Sequence, residues 1–422
     1  MGLNGTKRPK TKNRGEIMAA LDVGTSKIVC FIARVDGDGT PTVIGTGHHI
    51  SQGVRAGAII DMEAAVQVIG SAIESAEKTA GEQIDQVHVN LSGGHPASQT
   101  ISVEVAISNS EVTETDLMRA LRGQNQAPLG PDSEIVHAIP VSYIVDGARG
   151  ISDPRGMYGE RLGVDLHLVT AGSSAIRNLE TCIRRCHLEV ESLVSSAYAA
   201  GLACLVPDEM ELGCTIIDMG AGTTTLAVFF EGKMVFTDTI PVGGAHVTND
   251  LARGLTTKLT HAERMKTLFG SAMPSVADER EVIDVPQVGE EDEGHVNHVP
   301  KSLLTGIIQP RVEEIFELVR GRLEAGGFDK ISGRRVVLCG GASQLQGVRE
   351  LAQLVMDKQV RLGRPAGLDG LTDGISGPAF ATTAGLLVSL SGQAMDIAEI
   401  GPVDDRRQGM WGRLGGWVRE HL

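Results

Sequence analysis

"GCTIIDMGAGTTTLAVFFEGKMVFTDTIPVGG", Gly213 to Gly244, decides the fold. It reads as a strand, a Gly-rich turn, a second strand, a tight turn at Glu231-Gly232-Lys233 and a third strand, and "AHVTNDLARGL" behind it has helical periodicity. The same grammar stands near the start of the chain. "IMAALDVGTSKIVCFIARV", Ile17 to Val35, is two apolar strands around a Gly-Thr-Ser turn, and "TPTVIGTGHHI" adds a third. "MEAAVQVIGSAIESAEKTAG" then reads as a helix ending at Gly81, and "QVHVNLSG" as another strand. "LDVGTS" and "IDMGAGTT" share an Asp-x-Gly core whose aspartates, Asp22 and Asp218, lie 196 residues apart. One α/β unit is used twice, with a large insertion between the copies. Two related halves imply a cleft between them.

A Gly-rich turn between strands lets backbone N–H groups approach phosphate oxygens. The expected cradle is Gly24, Thr25, Ser26 and Lys27 in the first turn, and Gly220, Ala221, Gly222, Thr223 and Thr224 in the second, with Gly243 and Gly244 opening the following helix. Asp22 and Asp218, one at each strand end, suit Mg²⁺ held through water. A single Asp-x-Gly would be an ordinary hairpin; two copies with matching flanks point to a polyphosphate gripped from both sides. "RRVVLCGGASQLQGVRELAQLV", Arg334 to Val355, is a buried strand running into Gly340, Gly341 and Ala342, with a helix expected near Leu345. It also reads as a plain strand-turn-helix connection. In "HAERMK", Glu263 and Lys266 share a helix face, either as ligand contacts or as a solvated ion pair.

Bulk properties narrow the class. Charged residues are 22% and apolar residues 41% of the chain, a globular balance. A net charge of -15 makes duplex nucleic acid a poor partner. The six cysteines are scattered, with no C-x-x-C pair, and read as reduced, buried thiols. No apolar run approaches ~18 residues, so no span is expected. The basic N-terminus, "GTKRPKTKNRGE", reads as a flexible tail, residues 278–300 as a mobile acidic loop, and Gly392 to Gly409 as a linker.

Both tryptophans fall in "MWGRLGGWVREHL", Met410 to Leu422. On a helical wheel of ~100° per residue, Trp411, Leu414, Trp417 and Val418 share an apolar arc, with Arg413 and Arg419 on the polar side. Three glycines, each costing ~1 kcal/mol, argue against a stable helix in water. The segment reads as a tail that folds on anionic lipid; a helix docked on the chain's own core or in a protein groove are the alternatives.

The three Gly-rich motifs, in this order, resemble those of the actin / Hsp70 / sugar-kinase superfamily, with "SSAYAAGLACLV" and "PAFATTAGLLVSL" similar to its two connecting helices. Within it the chain resembles the bacterial cell-division FtsA family, through "LSGGHPASQ", "VHAIPVSYIVDG", "VDLHLVTA", "IIDMGAGTTTLAVF", "IPVGGAHVTNDLARGL", "VVLCGGASQLQGV" and "GLTD", from about Ile17 to Leu390 plus the tail. The resemblance implies an actin-like (ribonuclease H-like, duplicated) ATPase fold with the family's inserted subdomain. Its implied layout is a tail 1–16, subdomain 1A at 17–91 and 166–212, the insertion 1C at 92–165, 2A at 213–244 and 303–377, 2B at 245–302, a return helix 378–391, a linker 392–409 and a membrane-targeting helix 410–422.

The implied function is an ATP- and Mg²⁺-binding protein that polymerises with itself as a peripheral protein on the cytoplasmic side of the inner membrane at the division site. There it tethers filaments of FtsZ through that partner's C-terminal tail and engages later division proteins. Glu263 and Lys266 would meet ribose and adenine, and Lys301 is the candidate contact to the FtsZ tail. One departure concerns hydrolysis. The first connecting helix offers Ser195, Ser196 and Tyr198 where relatives place a Gln or Glu to orient water, so at most weak ATPase activity is expected. A sugar-type kinase, an Hsp70-type chaperone and a pilus-assembly actin homologue are the competing superfamily readings.

Overall fold

The computed structural model describes residues 15–35, 39–123, 127–289 and 296–390. The basic N-terminal tail up to residue 14, the linker and the tryptophan-bearing segment lie outside them. The first lobe opens with β1 (Glu16–Val23), β2 (Lys27–Val35) and β3 (Pro41–Ile50), then a short hairpin of β4 (Val54–Arg55) and β5 (Ala58–Ile59). Helix α1 (Met62–Ala80) begins where the Asp61 side chain accepts from Ala64 N–H, and stops at Gly81, whose φ of 68° few other residues tolerate. β6 (Gln86–Leu91) follows.

The insertion is β7 (Ala97–Ala106), α2 (Glu114–Leu121), β8 (Ser133–Val145), β9 (Ala148–Ile151) and β10 (Arg161–Gly172), an antiparallel sheet in the order β7-β10-β8-β9. The sequence set its end at 165, but β10 runs unbroken to Gly172 and still pairs with β7 at Thr170 and with β8 at Gly172. Leu162, Val164, Leu166 and Leu168 alternate into one small core, continuing past a register shift with β8 between Asp165 and Leu166. The chain returns through α3 (Ser173–Arg185), β11 (Glu189–Ser195), α4 (Ser196–Cys204) and α5 (Pro207–Leu212).

The second lobe holds β12 (Cys214–Met219), β13 (Thr224–Phe230), β14 (Lys233–Ile240), α6 (Gly244–Gly254), α7 (Leu259–Phe269), β15 (Val282–Pro286), β16 (Val296–Pro300), α8 (Lys301–Gly326), β17 (Arg335–Cys339), α9 (Val348–Met356) and β18 (Gln359–Leu362). Helix α10 (Ala381–Leu390) closes the described chain. The expected acidic loop is ordered on both flanks: β15 and β16 pair antiparallel, Val282 against Pro300 and Pro286 against Val296. Ile283, Val285 and Val299 anchor that hairpin in the second-lobe core, and composition alone hid the alternation.

The duplication is exact in topology. The first sheet has the order β3-β2-β1-β6-β11 and the second β14-β13-β12-β17-β18. In each, the first three strands are antiparallel neighbours and the last two join parallel to them. Between the sheets a shared core is built around α4 and α10, from Ala197, Ala199, Ala200, Ala203, Ala381 and Ala384. Small side chains let the two helices approach closely: a Cβ on Gly385 would strike the Ala199 carbonyl. The insertion also touches the second lobe, where Thr237 N–H of β14 donates to Ser98 Oγ of β7 at 3.3 Å.

Candidate functional site

Each first strand delivers its aspartate one residue before its C-terminal end, Asp22 in β1 and Asp218 in β12. The turns that follow close alike: Gly24 N–H donates to the Lys27 carbonyl at 3.1 Å, and Gly220 N–H to the Thr223 carbonyl at 2.9 Å. A Cβ on either glycine would press on that same carbonyl, at 2.8 and 2.9 Å. Both turns open onto one cleft of about 510 Å³ between the lobes. Asp22, Gly24, Thr25, Ser26 and Lys27 line it from the first lobe; Asp218, Gly220, Ala221, Gly222, Thr223 and Gly244 from the second; Gly340, Gly341 and Ala342 from the third motif; Glu263 and Lys266 from α7.

Two expected residues do not line the cleft. Thr224 is fully buried and donates its hydroxyl to the Val242 carbonyl at 2.8 Å, because it already belongs to β13 and its side chain faces the sheet interior. Gly243 packs behind the second turn, where a Cβ would meet the Gly220 and Ala221 carbonyls. Those carbonyls accept from the first amides of α6: Gly244 N–H to Gly220 at 2.9 Å and Ala245 N–H to Ala221 at 2.8 Å. The helix expected near Leu345 begins instead at Val348, after a 3₁₀ turn at Gly341–Gln344 and Gly347 with φ of 77°. Gly340 has φ of 82° and no room for a side chain against Asp218 and Met219, so glycine is required there on both counts.

The electrostatics concentrate charge at the cleft floor. Burial pushes Asp22 up to about 6, with Asp218 adding to the rise and Lys27 and Thr383 opposing it. Burial likewise raises Asp218, against a hydrogen bond from Thr382 and the charge of Lys27. Burial lowers Lys27, and the two carboxylates pull it back up. Its ammonium donates to the Ala379 carbonyl at 2.6 Å and lies 3.6 Å from the centre of the Phe380 ring. Two desolvated carboxylates facing one partly buried lysine form a site whose negative charge calls for a cation.

At the far end, Lys266 Nζ donates to Glu263 Oε2 at 2.7 Å, to Thr248 Oγ1 at 2.9 Å and to the Gly244 carbonyl at 3.1 Å. Val247, Leu268, Val312, Ile315 and Leu345 give this end an apolar lining suited to a flat heterocycle. Lys301 lies away from the cleft at the start of α8. Its side chain is 16% exposed and engaged with Glu281 at 3.0 Å and Asp278 at 3.7 Å.

Sequence reasoning missed several lining residues. Asn90 takes the Val23 N–H on Oδ1 at 2.7 Å and donates through Nδ2 to Ser196 Oγ at 3.1 Å; both side chains are buried and line the cleft. The signal was an asparagine in the otherwise apolar strand "QVHVNL". Thr382 lines the cleft too, and its neighbour Thr383 stands just behind, in the stretch that resembles a connecting helix.

Two family models match: cell division protein FtsA over residues 215–385, and the SHS2 domain inserted in FtsA over residues 93–170. The chain is 43% identical over 423 residues to cell division protein FtsA of Rhizobium meliloti (strain 1021), covering 97% of this chain and 93% of that one. Among solved structures, the PilM-PilN type IV pilus biogenesis complex is similar at a TM-score of 0.62 and 18% identity, over 88% of this chain and 97% of that one. MreB5 of Spiroplasma citri bound to ADP is similar at 0.54 and 16%, over 90% and 97%. At these identities the likeness is one of fold, the actin-like one. Among the described residues no helix is long and apolar enough to cross a membrane.

Proposed function

The chain belongs to the FtsA family of cell-division proteins, and from that premise we propose that it binds Mg·ATP between its lobes, stacks with its own copies on the cytoplasmic face of the inner membrane, and there tethers FtsZ filaments at the division site. The observation that carries the nucleotide reading is the pair of Asp turns with matching hydrogen bonds, facing each other across one cleft. The donor set suits the group. Backbone amides of Gly24–Ser26 and Gly220–Gly222 would hold phosphate oxygens, and Asp22 and Asp218 would hold hydrated Mg²⁺. Lys27 adds one positive charge, while Glu263 and Lys266 would meet ribose and adenine. Bound magnesium supplies the positive charge that lets two carboxylates and a polyphosphate share one site.

Turnover is expected to be weak. No Glu or Gln stands in α4, and ATP serves as a ligand that favours one angle between the lobes. The membrane part of the reading rests on the Trp411–Arg419 pattern, outside the described residues. Avidity across many stacked subunits would make a short, weak anchor sufficient. Attachment to FtsZ is expected through subdomain 2B. A partner carboxylate reaching Lys301 would have to compete with Glu281 and Asp278.

Calorimetry with Mg·ATP tests the first part. The wild-type chain should bind, and Asp218→Asn should lose most of that affinity while keeping its circular dichroism. No heat in the wild type, or equal affinity in the variant, overturns the assignment. Cosedimentation with anionic liposomes tests the second, comparing the full chain with one ending at Gln408; equal lipid binding by the two would remove the anchor.

A further inference from the structure

The segment Gly377–Thr383, which leads into α10, is held by the chemistry-bearing turns of both lobes. Gly340 N–H donates to the Pro378 carbonyl at 2.9 Å. Lys27 Nζ donates to the Ala379 carbonyl at 2.6 Å. Thr382 Oγ1 donates to Asp218 Oδ2 at 2.9 Å, and Thr383 Oγ1 to Asp22 Oδ2 at 3.4 Å. The two threonines are 6% and 0% exposed.

A threonine inside a helix ordinarily turns its hydroxyl back to the carbonyl four residues earlier. For Thr382 that acceptor is Pro378, and for Thr383 it is Ala379. These are the two carbonyls already taken by Gly340 and Lys27. Both hydroxyls turn instead to the carboxylates. Successive residues of a helix point ~100° apart, so two adjacent threonines can serve an aspartate on each side. Asp22 belongs to the first lobe and Asp218 to the second, and one helix turn holds both.

Resting on the nucleotide reading above, we propose that Thr382 and Thr383 are positioning residues for the magnesium-binding carboxylates, holding Asp22 and Asp218 in the mutual orientation that accepts a hydrated divalent cation. Each hydroxyl occupies Oδ2 of its carboxylate and makes no bond to Oδ1. The pair thereby sets which oxygens are presented, and the distance between the lobes at which they converge. Neither threonine needs to touch nucleotide.

The test separates this role from a purely structural tie. Valine keeps the shape of threonine and removes the hydroxyl, whereas serine keeps the hydroxyl. Nucleotide affinity is measured by calorimetry for the wild type, Thr382→Val/Thr383→Val and Thr382→Ser/Thr383→Ser, with magnesium in excess and with EDTA. The valine pair should bind Mg·ATP roughly tenfold or more weakly, since hydrogen bonds to charged groups are the stronger kind. Its affinity in EDTA should stay within about twofold of wild type, its magnesium titration should move to higher concentration, and the serine pair should restore both. If the valine pair binds Mg·ATP like wild type, or loses affinity equally with and without magnesium, the proposal is wrong. Should the valine pair not fold, the serine pair decides: Mg·ATP affinity well below wild type in a folded serine pair overturns it. If the wild type binds no nucleotide in either condition, the nucleotide reading falls first and takes this inference with it.

Discussion

Acid should destabilise the packing of the insertion on both lobes, and two histidines set the cost: His137 faces Ser195 and Tyr198 of the first lobe, and His167 the Met234 main chain of the second. His137 on β8 is 2% exposed and His167 on β10 fully buried. His137 Nε2 accepts the Ser195 N–H at 2.8 Å, so the ring proton sits on Nδ1, which has no hydrogen-bond partner. Burial pushes His137 down to about 3, with His167 contributing. Burial pushes His167 down to about 4, the Met234 main chain of β14 pulling slightly the other way. Neither His167 ring nitrogen makes a hydrogen bond of normal geometry.

Unfolded histidines take up protons below about pH 6.5, while these two stay neutral until about 4 and about 3. Stability is therefore fully present above about 6.5 and drains away as pH falls through that window. At about pH 5 each ring forgoes roughly 1.5 units at ~1.4 kcal/mol per unit, or about 2 kcal/mol. The two together cost about 4 kcal/mol, a large part of the ~5–15 kcal/mol by which domains are stable. Urea unfolding followed by circular dichroism at about pH 7.5 and about pH 5 measures this. His167→Leu, a substitution of similar volume, should keep near-neutral stability within ~1.5 kcal/mol and cut the acid-dependent loss by about half. Equal losses in wild type and variant would refute burial of these rings as the cause.

Other expectations follow from the same contacts. Gly222→Val places a side chain against Thr25 Oγ1 and the Ala56 backbone, which must shift, propping the turns apart; Mg·ATP affinity should fall by roughly tenfold or more. Gly385→Ala drives a methyl into the Ala199 carbonyl at the helix crossing and should cost about 1–3 kcal/mol, seen as a lowered thermal midpoint. Lys301→Met removes the cation beside Asp278, which is 3% exposed and keeps the Ser275 N–H on Oδ2, and should destabilise by about 1 kcal/mol. Unchanged stability with lost binding to an FtsZ-tail peptide would instead make Lys301 a partner contact.

The duplicated unit was legible because an Asp-x-Gly between two apolar strands is a local pattern and occurs twice with its flanks. The turn hydrogen bonds at Gly24 and Gly220 are its direct expression. What stayed hidden depended on partners distant in sequence. Thr224 looked like one more hydroxyl in a row, but register in β13 turns it inward to Val242. The end of the insertion was invisible because β10 keeps one alternation from Leu162 to Leu168 and then pairs on. Thr382 and Thr383 lie in a stretch whose likeness to a connecting helix says nothing of their hydroxyls, and their chemistry is set by carboxylates more than 160 residues away. Polar, acidic composition around residues 278–300 masked a hairpin whose alternate residues are buried.

The docking of the insertion on β14 has a bearing on assembly. A margin strand with bare amides and carbonyls invites a foreign strand to zip onto it. Along β14 the insertion stands in the way, with Ser98 already holding the Thr237 amide. At the outer strand of the other sheet, Val43 N–H donates to the Asp369 carbonyl at 2.8 Å and Asp369 N–H to Pro41 at 3.0 Å, so a loop of the same chain has claimed that margin. With these two margins covered, no foreign strand can add at β3 or β14 without first displacing this chain's own residues.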